Sequence, residues 1–398
     1  MHMHWLNRKR RVGTVALLGA IAIALVCTAV AAAFHGRTEA QRPAGAAAAA
    51  AQPIAKVKAI VKSYEGPAKY TPSGKPFDAR AAANGKTIGW VSNTTAIPFT
   101  KYMLQGARAG AATLGVKIDL CDGKGQVSEW VRCFQRFIAA KVDIIVSQSI
   151  DPRILKGPIS DANKAGIPVD TTSSNFSEAK TLLPGIAAEN AQPFRLVSRL
   201  MGDYAAADSN GTANVLIITS NEVYVSPGQA VAITGELKKY CPQTCKYKIV
   251  DVLFADWFSK TPTIVQTEIT SNPNLGYVIP LYDGLVPPVI QGINAKNKQG
   301  KIKVISFNAL PGIMDYMKKR QGLVADVGVD VVQHGWATID QAARVLAGEK
   351  GTVALRNPKL AVRMFDVHNV GSLNFKKPAT WYGKIDLKAF YKKQWMMG

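Results

Sequence analysis

Histidine is scarce in this chain, with five in 398 residues. His2 and His4 stand at the extreme N-terminus, so His35, His334 and His368 are all that remain for a folded body. Imidazole-based acid–base chemistry has little material here. No Gly-x-Ser-x-Gly elbow and no His-Glu-x-x-His helix occurs, and Arg80 stands where a phosphate loop ahead of Gly85-Lys86-Thr87 needs glycine. Cys-x-x-Cys is missing, and no histidine of the body lies near a cysteine, so no metal-ligand spacing is present. These absences argue against an enzyme, a cofactor or a bound metal. Acidic residues are also few, at 27 against 49 Lys and Arg, for a formal net charge of +22. That excess raises the question of nucleic acid. The basic residues are scattered, however, with clusters only at residues 8–11, 56–86 and 376–393, and no helix-turn-helix or aromatic–basic motif joins them. A solvated basic surface is expected, with no nucleic-acid partner.

What is present describes a large folded body. Hydrophobic residues make up 47% of the chain and aromatics 8%, enough for a packed core, and the length suits two domains. Arg8-Lys9-Arg10-Arg11 precedes an uncharged stretch at 12–34 that ends in Ala31-Ala32-Ala33. A basic start, an apolar middle and a small-residue exit mark a secretory signal, and about 20 apolar residues also suffice to span a bilayer. Residues 1–33 are therefore read as a signal peptide or an N-terminal anchor. Both place the body outside the cytoplasm, in the periplasm or at the cell surface. Cys27 is a poor lipid-attachment site because Val26 stands where a small residue is expected. The other four cysteines, Cys121, Cys133, Cys241 and Cys245, suit two disulfides in an oxidising compartment. Proximity suggests Cys121 with Cys133 and Cys241 with Cys245, one of three possible connectivities.

Residues 34–84 read as an Ala- and Pro-rich tether followed by an extended lead-in. From Gly85 the chain repeats a short apolar strand, a polar turn and an amphipathic helix. Strands are expected at 87–91, 142–146, 166–169, 214–218, 247–252, 275–279 and 302–307. Helices are expected at 106–112, 127–139, 153–165, 193–206, 228–239, 261–270, 285–294, 311–319 and 331–346. Strands without polar alternation need cover on both faces, which helices between parallel strands supply. The fold class is α/β.

Six segments in order carry a family resemblance over 85–369. Ile97-Pro98-Phe99 resembles an Asn-Pro-Phe turn, and Ala165-Gly166-Ile167-Pro168-Val169 resembles Ala-Gly-Ile-Pro-Val. Ala255-Asp256-Trp257 is similar to Ala-Asp-Phe, and Tyr282-Asp283 to an Asn-Asp pair before a helix. Val304-Ile305-Ser306-Phe307-Asn308 resembles Val-Val-Gly-Phe-Asp, and Leu346-Ala347-Gly348-Glu349 resembles Leu-Lys-Gly-Glu. Together they resemble the sugar-type, ribose-binding-like solute-binding proteins of ABC transporters. That resemblance implies two doubly wound parallel-sheet lobes joined by three hinge crossings, near 187–190, 329–331 and 360–365. The lobes would comprise 85–188 plus 331–362, and 189–330 plus 363–398. It further implies a small-molecule ligand, an ABC permease as partner and a monomer. A sensory ectodomain of the same fold is the alternative, whereas a repressor is disfavoured by the export segment.

In open parallel sheets, ligands sit beyond the carboxyl ends of the strands. The loops there are rich in hydroxyls, amides and aromatics. The candidate ligand contacts are Asn93, Thr95, Phe99, Thr100, Ser173, Ser174, Trp257, Tyr282 and Asn308. Each has a structural alternative, because Ser and Thr cap helices and the aromatics fill cores. The departures from the family's pattern are specific. Its Asp-Arg pair reads Ser173-Ser174, a further arginine falls at Ala232, the ligand-binding asparagine is Tyr282, an aspartate is Asn308 and a glutamine is Val329. Loss of these charged partners points to a neutral ligand with fewer hydroxyls and more apolar surface. His334 reads as a satisfied, partly buried histidine.

Overall fold

The structure is a computed structural model, and it describes residues 44–398, with side chains from residue 52. The leader, its alternative as an anchor, and Cys27 lie outside the described residues. The first described element corrects an expectation. Helix α1 spans Ala44–Tyr64, where low complexity pointed to a tether and an extended lead-in. Alanine is the strongest helix former, and Val57 and Val61 give the helix an apolar face that is buried. A short helix α2, Ala79–Ala83, follows, with the Asp78 side chain capping the Ala81 amide.

The first lobe then assembles: β1 Thr87–Ser92, α3 Pro98–Leu114, β2 Lys117–Asp122, α4 Val127–Ala139, β3 Ile144–Gln148, α5 Lys156–Lys164, β4 Val169–Phe176 and β5 Ala188–Gln192. Its five strands lie parallel in the order β2-β1-β3-β4-β5. The central strands β1 and β3 are buried almost throughout, as unbroken apolar runs between two helical layers must be. The second lobe holds α6 Phe194–Asp208, β6 Asn214–Thr219, α7 Ser226–Tyr240, β7 Lys246–Asp251, α8 Trp257–Ser271, β8 Tyr277–Pro280, α9 Val286–Ala295, β9 Lys303–Asn308, α10 Pro311–Lys318 and β10 Leu323–Val329. The chain next forms α11 Val331–Leu346, β11 Val362–Asp366 and α12 Leu387–Gln394. The second sheet runs β11-β10-β9-β8-β6-β7, parallel except for β11, which is an antiparallel edge strand on β10.

Helix α11 returns to the first lobe and lies against α3. The two backbones touch: a Cβ on Gly106 would meet the Val332 carbonyl oxygen at 2.0 Å, and one on Gly335 would meet that of Met103 at 2.1 Å. Only glycine permits that approach. Helix α12 also differs from expectation. It was assigned to the second lobe, yet it packs on α3 and α11 because Tyr391 and Trp395 stack on Trp336. Strand β5 belongs to the first sheet although 189 was expected to open the second lobe. The disulfides are Cys121–Cys133 and Cys241–Cys245, with Cα separations of 5.8 and 5.3 Å. The first fastens α4 to edge strand β2. Among the described residues no helix is long and apolar enough to cross a membrane.

Candidate functional site

The carboxyl ends of both sheets open onto one cavity of about 320 Å³ between the lobes. Its first-lobe wall includes Asn93, Trp130, Ser149, Ser173 and Ser174. Its second-lobe wall includes Val223, Tyr224, Val225, Phe254 and Ala255. The first-lobe wall offers hydroxyls, an amide and an indole among the apolar side chains of Val127, Ile150 and Ile154, and the second-lobe wall is apolar and aromatic apart from Glu222. Such a mixture, at a volume near the low end of the roughly 300–1,000 Å³ of ligand sites, suits a small amphiphilic guest.

The polar wall is held from behind. Ser173 adopts a left-handed backbone at φ 59°, a costly conformation for serine, and its Oγ accepts from Gln192 Nε2 at 3.2 Å. The next two amides, Ser174 and Asn175, donate to the Glu189 carboxylate at 3.0 and 3.2 Å, and the Thr171 hydroxyl donates to it too. Burial pushes the Glu189 carboxyl up to about 7, with those three donors opposing the rise. Asp170 lies beside it with both carboxyl oxygens unpartnered, and burial together with the Glu189 charge raises it well above the ordinary range.

The charged groups around the cavity are engaged with the protein. Asp151 lines it and pairs with Arg153, whose guanidinium sits 4.1 Å from the Tyr224 ring centroid across the cleft. Glu222 accepts from the Phe254 amide. Among the described residues, no group of three or more His, Cys, Asp or Glu is arranged to hold a metal ion.

Of the nine sequence candidates, the structure brings Asn93, Ser173 and Ser174 to this cavity. The others have local partners. Thr95 donates its amide and hydroxyl to Asp122, at 3.0 and 2.6 Å. Thr100 donates its hydroxyl to the Thr94 and Ile97 carbonyls. Phe99 lies edge-on to His334, 6.4 Å between centroids. Trp257 is 8% exposed, stacks on Tyr282 at 5.9 Å, and donates Nε1–H to Ser220 Oγ at 2.6 Å. The Tyr282 hydroxyl bonds Ser226 and Gln229, at 2.7 and 2.8 Å, and burial raises its pKa. Asn308 ends β9 at φ 123° and is 6% exposed. Trp257 and Tyr282 back the cavity through Phe254, whose ring lies 4.7 Å from that of Trp257.

His334 is fully buried rather than partly so. Its Nε2 lies 2.9 Å from the Asn190 carbonyl oxygen, which only accepts, so Nε2 carries the proton. Burial lowers its pKa to about 4, and it is neutral at physiological pH. Trp130, Tyr224 and Phe254 were not among the candidates. Trp130 sits on the apolar face of α4, indistinguishable in sequence from core, although its Nε1–H reaches the Asn93 carbonyl at 3.1 Å.

Comparison with known proteins accords with this architecture. The chain resembles a 5-methylthioribose transporter solute-binding protein from Thermotoga lettingae, solved with 5-methylthioribose, at 20% identity and TM-score 0.64, covering 77% of this chain and 98% of that one. It resembles an ABC transporter solute-binding protein from Burkholderia graminis, solved with D-arabinose, at 20% identity and TM-score 0.64, over 73% and 99% of the two chains. An arabinose-transporter binding protein from Shewanella sp. ANA-3 matches at 16% identity and TM-score 0.62, over 76% and 99%. Identities this low speak for the fold alone. No curated protein matches the chain in sequence. The family model for the periplasmic binding protein domain matches residues 88–350, more than half of the sequence, and the chain belongs to that family.

Proposed function

We propose that this protein is the extracytoplasmic substrate-binding component of an ABC importer, and that it takes a small, neutral, partly apolar or sugar-like ligand by closing its lobes. The observation that carries this reading is the interlobe cavity, which combines hydroxyls and an amide with aromatic and apolar side chains from both lobes, its acidic groups already engaged. A ligand that touches both walls binds the closed state better and shifts the population toward it. Closure also brings a face of each lobe into register for a permease. The export segment at 8–34 supports delivery outside the cytoplasm. Two similar proteins were solved with a pentose and with a pentose bearing an apolar methylthio group, and the latter chemistry suits a cavity of this mixed polarity.

A thermal-shift panel of aldopentoses, aldohexoses, 5-methylthioribose and neutral phenolic and terpenoid compounds tests the reading. A ligand at about 100 times its dissociation constant stabilises the folded state by ~2.7 kcal/mol. Stabilisation by a neutral compound with an apolar moiety is the expected outcome. Stabilisation by charged compounds alone overturns the ligand assignment, and selective stabilisation by simple pentoses or hexoses overturns its apolar part.

A further inference from the structure

Beyond the hinge crossings, the last of which leads from α11 to β11, the chain outside the family-matched segment, 88–350, passes from one lobe to the other twice more. The N-terminal crossing starts on the second lobe, where Lys58 Nζ donates to Asn210 at 2.6 Å and the Glu65 carbonyl accepts from Arg363 at 2.9 Å. It ends on the first lobe, where Ser73 donates to Asp340 at 2.9 Å, Arg344 Nη2 donates to the Lys75 carbonyl at 3.0 Å, and α2 packs on α11. The C-terminal crossing leaves from Trp381 and Tyr382, buried against Phe365 in the second lobe. It arrives at Trp395, whose Nε1–H donates to Asp340 at 2.9 Å while its ring stacks on Trp336. The two segments are tied together by Ala68 N–H to the Tyr382 carbonyl, 2.7 Å, and Phe77 N–H to the Gln394 carbonyl, 3.0 Å.

Both segments also grip the turn between β10 and α11, one of the lobe crossings. The Tyr70 hydroxyl donates to Asp330 Oδ2 at 2.6 Å, while Oδ1 of the same carboxylate caps α11 at Val332 and Gln333. The Tyr382 hydroxyl donates to the Val329 carbonyl at 3.0 Å. Gly328 makes room for that ring, because a Cβ there would meet the Tyr382 hydroxyl at 2.4 Å.

We propose that these two outer crossings form a brace over the hinge, with Tyr70 and Tyr382 as its pins, that limits how far the lobes part. A hinge turns freely only where few residues absorb the change, and here the turning point is held from two sides, by the half-buried Tyr70 and the buried Tyr382. The inference rests on the two-lobe hinge of the preceding reading and adds a bound on its amplitude.

The test uses the full chain without ligand. Spin labels at Lys156→Cys and Lys260→Cys, exposed positions at the starts of α5 and α8, report the separation of the cleft's lips in a Cys27→Ala background. A narrow distance distribution is expected, gaining in Tyr70→Phe/Tyr382→Phe a longer-distance population that the parent lacks. Superimposable distributions overturn the brace. Should the double variant fail to fold, Tyr382→Phe alone removes one hydroxyl and is read in the same way. Since no ligand enters, failure here leaves the ligand assignment standing, and a blank ligand panel leaves this test intact.

Discussion

Both lobes fix a sharp backbone bend with a buried carboxylate, within strand β4 in the first and at the end of β9 in the second, and use it differently. In the first lobe, Glu189 receives the Ser174 and Asn175 amides beside a bend where Ser173 has φ 59°, and Asp170 lies next to it. In the second, Asp283 receives Ser306 Oγ at 2.9 Å and the Leu310 amide at 2.8 Å, while Asp326 receives the Ala309 amide at 2.9 Å. The bend it secures holds Asn308 at φ 123° and Ala309 at φ 51°. Only the first bend lines the cavity. The second lobe contributes aromatic side chains instead, propped from behind by Trp257 and Tyr282. Buried carboxylates thus fix backbone in both lobes, Glu189 in the first and Asp283 with Asp326 in the second.

The largest effect is expected at Trp257, the prop of the aromatic wall. Trp257→Ala removes a buried indole, and large-to-small core changes of this kind cost about 3–5 kcal/mol; chemical denaturation measures it. A loss of ligand affinity with stability intact would instead place Trp257 in the site. Next comes the pH response of the carboxylate pairs. Glu189 is pushed up to about 7 and Asp283 to about 6, both mainly by burial. Folded values above unfolded ones mean that the native state holds more protons between about pH 4 and 7, so stability falls as pH rises through that window. Glu189→Gln is expected to remove about 3 kcal/mol of the fall between pH 5 and 8, in urea titrations across pH. An unchanged slope would show that Glu189 ionises normally.

The disulfides sharpen the comparison further. Cys121–Cys133 spans 12 residues and Cys241–Cys245 spans 4. Loop-closure entropy gives about 3 kcal/mol for the first, in the first lobe, and about 2 for the second. Paired Cys→Ser variants followed by thermal melting should rank in that order, and the reverse would locate strain in the longer loop. The smallest effects belong to the cavity face of the second lobe. Phe254 is 37% exposed, so Phe254→Ala should leave folding nearly unchanged while weakening a panel ligand about tenfold, or ~1.4 kcal/mol. Equal affinity would separate the aromatic wall from the site.

Much of the fold was legible because buried parallel strands are unbroken apolar runs, as in Ile144-Ile145-Val146 and Val215-Leu216-Ile217-Ile218. Strand β5, Ala188–Gln192, was not, since its Ala-Glu-Asn-Ala-Gln is polar and becomes a strand only through partners brought by the fold. Edge strand β2, Lys117–Asp122, is half exposed and lacks the run. Helix α1 hid behind low complexity, where alanine's helix preference carried more weight than the missing period. For the candidate site, the loops at the strand ends were legible as a group, but which of their side chains face the cavity was not. Of the nine candidates Asn93, Ser173 and Ser174 line it, while Thr95, Thr100 and Tyr282 bond Asp122, the Ile97 carbonyl and Ser226, partners that only the fold brings near.

The most direct measurement is isothermal titration of the panel compound giving the largest thermal shift, against the parent protein and Ala255→Trp. Ala255 is an exposed residue of the cavity wall, and an indole there fills space without disturbing either carboxylate pair. Binding heat should be present in the parent and abolished in the variant at equal folding stability. Unchanged affinity in Ala255→Trp would contradict a ligand held between these two walls.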